Sequence, residues 1–254
     1  MALKQFLETA VEAARAAEEV IRHYYRRGIE VRLKADRSPV TEADVESERA
    51  IRRVLGEAFP DHGYFGEELG CDDAERDYLW LIDPIDGTKS FIRGYPFFST
   101  QIALMHRGEL VVGVSNAPAW GELATAARGL GARINGHPVA VSEIDQLERA
   151  TLSAGNIATL AGDEAAWQRY GQLVRRVDRI RGYGDFCHYH LLASGSLDVV
   201  VESDVNILDI AALTVIVCEA GGRLTDLHGG PIGLDTTSVL ASNGRLHDAT
   251  LAAL

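Results

Sequence analysis

Three cysteines in 254 residues, Cys71, Cys187 and Cys218, form an odd and widely spaced set. Such a set frames no disulfide scaffold and offers no Cys-x-x-Cys zinc pair, so reduced thiols are expected. Long apolar runs are missing too. No stretch approaches the roughly 18 to 20 residues that span a bilayer, and an N-terminus carrying Glu8, Glu12, Glu18 and Glu19 has no secretory pattern. The expected location is cytoplasmic. Positive charge is scarce, with 25 Lys and Arg against 37 Asp and Glu and a formal net charge of −12. That balance argues against binding nucleic acid or acidic membranes through a global field, so any anionic ligand would have to be attracted locally. The chain also lacks a Cys-x5-Arg loop, an Asp-x-Asp phosphoaspartate motif and a Walker A sequence, which excludes the main covalent and P-loop phosphoryl-transfer chemistries at the motif level.

What is present is carboxylate. In the run Trp80-Leu81-Ile82-Asp83-Pro84-Ile85-Asp86-Gly87-Thr88-Lys89-Ser90-Phe91, a short apolar strand ends in two acids. On a continuing strand, side chains three apart point to opposite faces. Pro84 removes a ladder donor and suits the second position of a turn opened by Asp83, and that turn is expected to bring Asp83 and Asp86 together. Converging carboxylates repel, and hard cations such as Mg²⁺ between them relieve the repulsion, with the Ile85 carbonyl as a further oxygen donor. Gly87 allows close backbone approach to an anion, and the Thr88 hydroxyl can orient a water. The rival reading is an ordinary capped Asp-Pro-x-Asp-Gly turn. Upstream, Gly66-Glu67-Glu68-Leu69 follows the apolar pair Tyr64-Phe65, which puts Glu67 near a strand end as a candidate bridging ligand. Downstream, Asp209 opens an apolar helical stretch, where it either caps a helix or faces a metal.

The combination of Gly-Glu-Glu, Asp-Pro-Ile-Asp-Gly-Thr and Asp209-Ile210-Ala211-Ala212, followed by Glu219-Ala220-Gly221-Gly222, resembles the inositol monophosphatase superfamily of Mg²⁺-dependent, lithium-sensitive phosphatases. The resemblance runs from Lys34 and Pro39-Val40-Thr41-Glu42-Ala43-Asp44 to Ser242-Asn243-Gly244. It implies a layered αβαβα sandwich of the sugar phosphatase type, commonly a homodimer. Glu67, Asp83, the Ile85 carbonyl, Asp86 and Asp209 would hold two or three Mg²⁺ ions, with Asp83 shared. Thr88, Asp44 and Glu67 would form the catalytic set: Thr88 paired with Asp44 positions the attacking water, and the Gly87 and Thr88 amides hold phosphate oxygens. For Asp44 a structural alternative stays open, because Thr41-x-x-Asp44 has the spacing of a capping box. A regulatory or binding protein that retains the ion site is the non-enzyme alternative, and the intact ligand set counts against it.

Within the superfamily, Phe91-Ile92-Arg93-Gly94-Tyr95-Pro96, Arg181-Gly182-Tyr183-Gly184-Asp185-Phe186 and Ser242-Asn243-Gly244-Arg245-Leu246-His247 are most similar to its histidinol-phosphate phosphatase branch. The inositol monophosphatase and 3′-phosphoadenosine 5′-phosphate phosphatase branches are the alternatives. Histidinol phosphate carries an ammonium and an imidazole, and the resemblance places Asp185 and Glu202 as its acidic partners. Solvated acids at element ends are the alternative for both. Lys34 belongs to a loop that approaches the metals in the family, but a surface role leaves it outside the expected site. Two residues depart from the family pattern. Leu208 stands where Trp is usual, implying a looser site floor, and Ser90 replaces Asn.

Hydrophobic spacing predicts a first helix reaching about residue 27 and ended by Gly28, then a second after Thr41. Strands follow over 79–82, 99–105 and 110–115. Beyond about Ser142 the pattern alternates: strand 151–154, helix 164–176, strand 179–182, helix 185–193, strand 197–201 and helix 209–220. A mixed α/β protein is expected, with an N-terminal half (1–142) carrying most metal ligands and a C-terminal α/β half (143–254) carrying substrate contacts and one ligand. Cys187-His188-Tyr189-His190 falls in a helix, where its side chains cannot all face one ion.

Overall fold

The computed structural model describes residues 2–27, 31–33 and 39–254; Gly28 and Lys34 lie outside them. The chain opens with α1 (Ala2–Tyr24), the short strands β1 (Val31–Leu33) and β2 (Pro39–Thr41), and α2 (Glu42–Ala58). Next come β3 (Gly63–Gly66), β4 (Gly70–Asp72), β5 (Tyr78–Asp86), α3 (Thr88–Ile92), β6 (Ser99–His106) and β7 (Glu109–Ala117). Three more strands, β8 (Glu122–Ala127), β9 (Ala132–Ile134) and β10 (His137–Pro138), complete an eight-stranded sheet. Its order is β10-β9-β8-β7-β6-β5-β3-β4, antiparallel except for the parallel β3–β5 pair.

The remaining chain runs β11 (Thr151–Ala154), α4 (Ala158–Gly162), α5 (Glu164–Arg176), β12 (Arg179–Arg181), α6 (Asp185–Ala193) and β13 (Val199–Glu202). It closes with α7 (Ile207–Glu219), β14 (Arg223–Thr225), β15 (Val239–Ser242) and α8 (His247–Leu251). The second sheet has the order β12-β11-β13-β15-β14, with β11 parallel to both of its neighbours.

Burial patterns explain the layering. α1 hides one stripe, Phe6, Ala10, Ala13, Ala14, Ala17 and Ile21, and packs with α2 on one face of the large sheet. α7 is apolar all round, as expected of a helix covered on every side. With α6 it lies between the two sheets, where Ala212 and Ile216 share a core with Leu81, Met105, Val200 and Ala241. Gly113 on β7 makes this approach possible, since a Cβ there would lie 2.3 Å from the Ala212 carbonyl oxygen. α5 and its neighbours cover the far side of the second sheet through Tyr170 and Leu173. The result is the five-layer αβαβα sandwich. Among the described residues no helix is long and apolar enough to cross a membrane.

Several boundaries differ from the sequence expectations. α1 stops at Tyr24 because Arg26 adopts a left-handed φ of 64°, ahead of Gly28. β13 is displaced toward Glu202, and α7 begins at Ile207, two residues before Asp209. β5 continues through Asp86 rather than ending in a turn at Asp83.

Candidate metal centre and adjoining cleft

A β-bulge, not a free turn, brings the first two acids together. Asp83 pairs with Gln101 and Asp86 with Ser99, so three steps along β5 match two along β6. The extra residue interrupts strict alternation and lets both acids serve one side. Pro84 fits because a bulged residue owes no ladder bond; its carbonyl accepts from Thr100 Oγ1 at 2.9 Å, and Asp83 Oδ1 accepts the Ile85 N–H at 3.0 Å. Asp209 arrives from another layer, on the first turn of α7. Asn206 is the N-cap there, accepting the Leu208 N–H at 2.7 Å, while Asp209 Oδ2 accepts the Asn206 N–H at 2.9 Å. Asp209 is therefore the third helical residue of a capping box, not the cap, and it also belongs to the acidic cluster. Leu208 is buried in the core between the sheets.

Carboxylate oxygens of Asp83, Asp86 and Asp209 lie within 4.8 Å of one another. Burial, then the charges of Glu67, Asp86 and Asp209, pushes Asp83 well above the usual carboxylate range. Asp86 is raised likewise by burial and by Asp185, Asp209, Glu202 and Glu67. Burial carries Asp209 up to about 7, with Glu67 and Glu202 adding to it against the opposing Asn206 hydrogen bonds. Oxygen donors packed this closely, each disfavoured as an isolated anion, fit a hard divalent cation.

Glu67 follows β3, and its N–H extends the parallel pairing to the Ile82 carbonyl at 3.1 Å. Glu48 on α2, a residue that sequence reading missed, shapes this segment. It is fully buried, accepts Arg52 Nε at 2.8 Å, and accepts the Glu68 and Leu69 N–H groups at 2.7 and 3.3 Å. Its i,i+4 pairing with Arg52 was the only local signal.

Beyond the bulge, Gly87 takes φ 85°, and a Cβ there would come 2.5 Å from the Phe97 carbonyl oxygen. The Thr88 hydroxyl lies 3.2 Å from Asp44 Oδ1 and 3.0 Å from the Ile85 carbonyl oxygen. Asp44 makes the capping contacts and the Thr88 contact at once. Its Oδ2 accepts the Thr41 N–H at 2.7 Å and the Thr41 hydroxyl at 2.6 Å, leaving Oδ1 for Thr88.

Asp185 and Glu202 border the same cleft as Asp86 and Asp209. They differ sharply in their surroundings. Asp185 opens α6 at a left-handed φ of 47° and is partly exposed; burial and the Glu202 charge lift it to about 6. Glu202 is buried. Burial alone would raise it, but His188, the Tyr189 hydroxyl and the Asn156 N–H together hold it below the usual range. Their distances to its oxygens are 3.2, 2.6 and 3.2 Å. It is neither solvated nor open on all sides. His188 and His190 diverge from α6, the first toward Glu202 and the second toward Ser115 and Glu122, so the Cys-His-Tyr-His run gathers around no single point.

Acids from β5 and α7 thus meet in one cluster within a five-layer sandwich. The chain belongs to the inositol monophosphatase family, whose model matches residues 2–254. It is 40% identical to a histidinol-phosphatase of Mycobacterium tuberculosis, over 98% of this chain and 97% of that one. A histidinol-phosphatase of Chlorobaculum parvum is 38% identical, over 98% and 96% respectively. Among solved structures, an inositol monophosphatase from Anabaena (Nostoc) superposes with a TM-score of 0.87 at 30% identity, covering all of this chain and 96% of the other.

Proposed function

We propose that this protein hydrolyses L-histidinol phosphate to L-histidinol and phosphate in a Mg²⁺-dependent reaction. The observation that carries this reading is one cleft bordered by two kinds of acid. Asp86 and Asp209, clustered with Asp83, form one kind, and Asp185 and Glu202 form the other. The first suits cations shared with a phosphate, the second the cationic organic part of the substrate. The relatives named histidinol-phosphatase support the choice.

Glu67, Asp83, the Ile85 carbonyl, Asp86 and Asp209 are the residues proposed to hold two or three Mg²⁺ ions. Bound there, Mg²⁺ would neutralise the acids and supply Lewis acidity toward phosphate and water. The chain's own groups do the rest. Asp44, anchored by Thr41, and the Ile85 carbonyl both accept a hydrogen bond from the Thr88 hydroxyl, which leaves the Thr88 oxygen lone pairs for a water in line with the ester. The Gly87 and Thr88 amides bind phosphate oxygens. Asp185 pairs with the ammonium, whose charge favours its ionised form. Glu202, held as an anion by its three donors, extends the negative field toward the imidazole.

The proposal extends to a cytoplasmic homodimer and to a division of labour between residues 1–142 and 143–254. The test is phosphate release by metal-stripped protein with Mg²⁺ restored, on L-histidinol phosphate, inositol 1-phosphate and 3′-phosphoadenosine 5′-phosphate in parallel. A large preference for the first is expected. Preference for another ester overturns the substrate, and absence of Mg²⁺-dependent turnover on all three overturns the mechanism.

A further inference from the structure

A buried polar row behind the cluster takes no part in the reaction described above. Gln101 on β6 is fully buried, and its Nε2 lies 2.8 Å from Ser99 Oγ and 3.1 Å from Ser115 Oγ. Ser99 Oγ lies 3.4 Å from Asp86 Oδ2. On the other side, Ser115 Oγ lies 2.9 Å from His190 Nε2, and His190 Nδ1 lies 3.0 Å from Glu122 Oε2. The row therefore joins the Asp86 carboxylate to Glu122, whose side chain is 31% exposed.

Hydrogen-bond polarity gives the row a direction. An amide nitrogen has two protons, and here one goes to each serine. Each hydroxyl, having accepted from Gln101, retains a single proton to give. Ser99 directs its proton to Asp86, and Ser115 directs its proton to His190 Nε2, which leaves the ring proton on Nδ1 facing Glu122. The opposite amide orientation would place two N–H groups where Gln101 Oε1 now stands without a partner among the described residues. Orphaned donors are the costlier defect, so the observed orientation is the stable one. The Ser99 proton then engages Asp86 Oδ2 and leaves the Oδ1 lone pairs available for a ligand.

We propose that Gln101 is a positioning residue for cation binding: by donating to Ser99 and Ser115 together, it turns the Ser99 hydroxyl onto Asp86 and fixes that carboxylate. The inference rests on the reading of Asp86 as a cation-holding residue. Groups that orient metal ligands typically affect metal affinity by 10- to 100-fold, and the long Ser99–Asp86 distance points to the lower end.

The test uses the full-length, metal-stripped protein without substrate, titrated with Mn²⁺ and followed by electron paramagnetic resonance. Gln101→Met, which keeps the length and loses both donors, should weaken Mn²⁺ binding about 10-fold, as should Ser99→Ala. The double variant should be little weaker than either single one, because both act through the Ser99–Asp86 bond. Ser99→Thr, which retains a hydroxyl, should bind like the wild type; if Gln101→Met does not fold, the contrast between Ser99→Thr and Ser99→Ala decides. Asp86→Asn separates cation binding at the cluster from the positioning of its carboxylate. If Asp86→Asn binds Mn²⁺ as the wild type does, the reading of the site fails. If Asp86→Asn is weak while Gln101→Met and Ser99→Ala are unchanged, or if their losses simply add, the positioning role fails alone.

Discussion

Two buried acidic groups face one cleft, and the fold treats them in opposite ways. Around Glu202 it supplies a histidine, a tyrosine hydroxyl and a backbone N–H, so the carboxylate is an anion at home and its pKa is held down. Around Asp83, Asp86 and Asp209 burial, and then the charges of further acids, push all three up, and at Asp209 the opposing Asn206 hydrogen bonds do not offset them. The first is a completed electrostatic unit. The second is complete only when something positive arrives from solution. A fixed anion beside a cluster that needs a cation is what a site for a cationic phosphate ester requires, one part for each end of the substrate.

Variants should break this contrast in graded fashion. Asp83→Asn removes an acid proposed to be shared between ions, and Mg²⁺-dependent phosphate release should fall by at least about 10³-fold, the several kcal/mol expected of lost metal assistance. Thr88→Ala should lower kcat about 100-fold while leaving KM near wild type, since the hydroxyl proposed to orient water is gone. In steady-state assays a matching rise in KM would place Thr88 in binding instead. Glu202→Ala strands His188 and Tyr189 without their acceptor, and chemical denaturation should show a loss of roughly 3 kcal/mol. Unchanged stability would mean that Glu202 is not the satisfied member of the pair. The smallest effect belongs to Asp185→Thr. Turnover of L-histidinol phosphate should drop about 10-fold more than turnover of an uncharged phosphate ester, through one charge-assisted contact. Equal losses on both would remove the ammonium pairing.

How much of this was legible in the sequence depended on range. The Asp83-Pro84-Ile85-Asp86-Gly87-Thr88 segment announced converging acids because its spacing is local. α5 and α6 run over the residues expected for them, α5 being capped by Asp163, which accepts from Ala165 and Ala166 at 2.9 and 3.0 Å. The bulge was not legible, because it exists only in the register between β5 and β6. The role of Asn206 was hidden by Asp209 three residues on, whose side chain has the same capping chemistry. β8, with its Glu-Leu-Ala-Thr-Ala-Ala sequence, carries few β-branched or aromatic residues, and β15 is four residues long. The supports of Glu202, Glu67 and Asp86 come from other elements: His188 and Tyr189 from α6, Glu48 from α2, Gln101 from β6. Nothing local marks a glutamine in an apolar strand as the centre of a polar row.

The most direct measurement compares thermal unfolding of metal-stripped wild type and Asp83→Asn across pH, with and without Mg²⁺. Asp209 titrates near 7 in the fold and near 4 when unfolded. Between those values the folded chain holds a proton that the unfolded chain has released, so this group's stabilisation falls as pH rises from about 4 to about 7. The raised pKa values of Asp83 and Asp86 act in the same direction. Near neutral pH and without metal, Asp83→Asn is expected to be the more stable protein, and Mg²⁺ is expected to raise the wild-type melting temperature well beyond that of the variant. A less stable variant without metal, or a wild type indifferent to Mg²⁺, would contradict a cluster built to receive a cation.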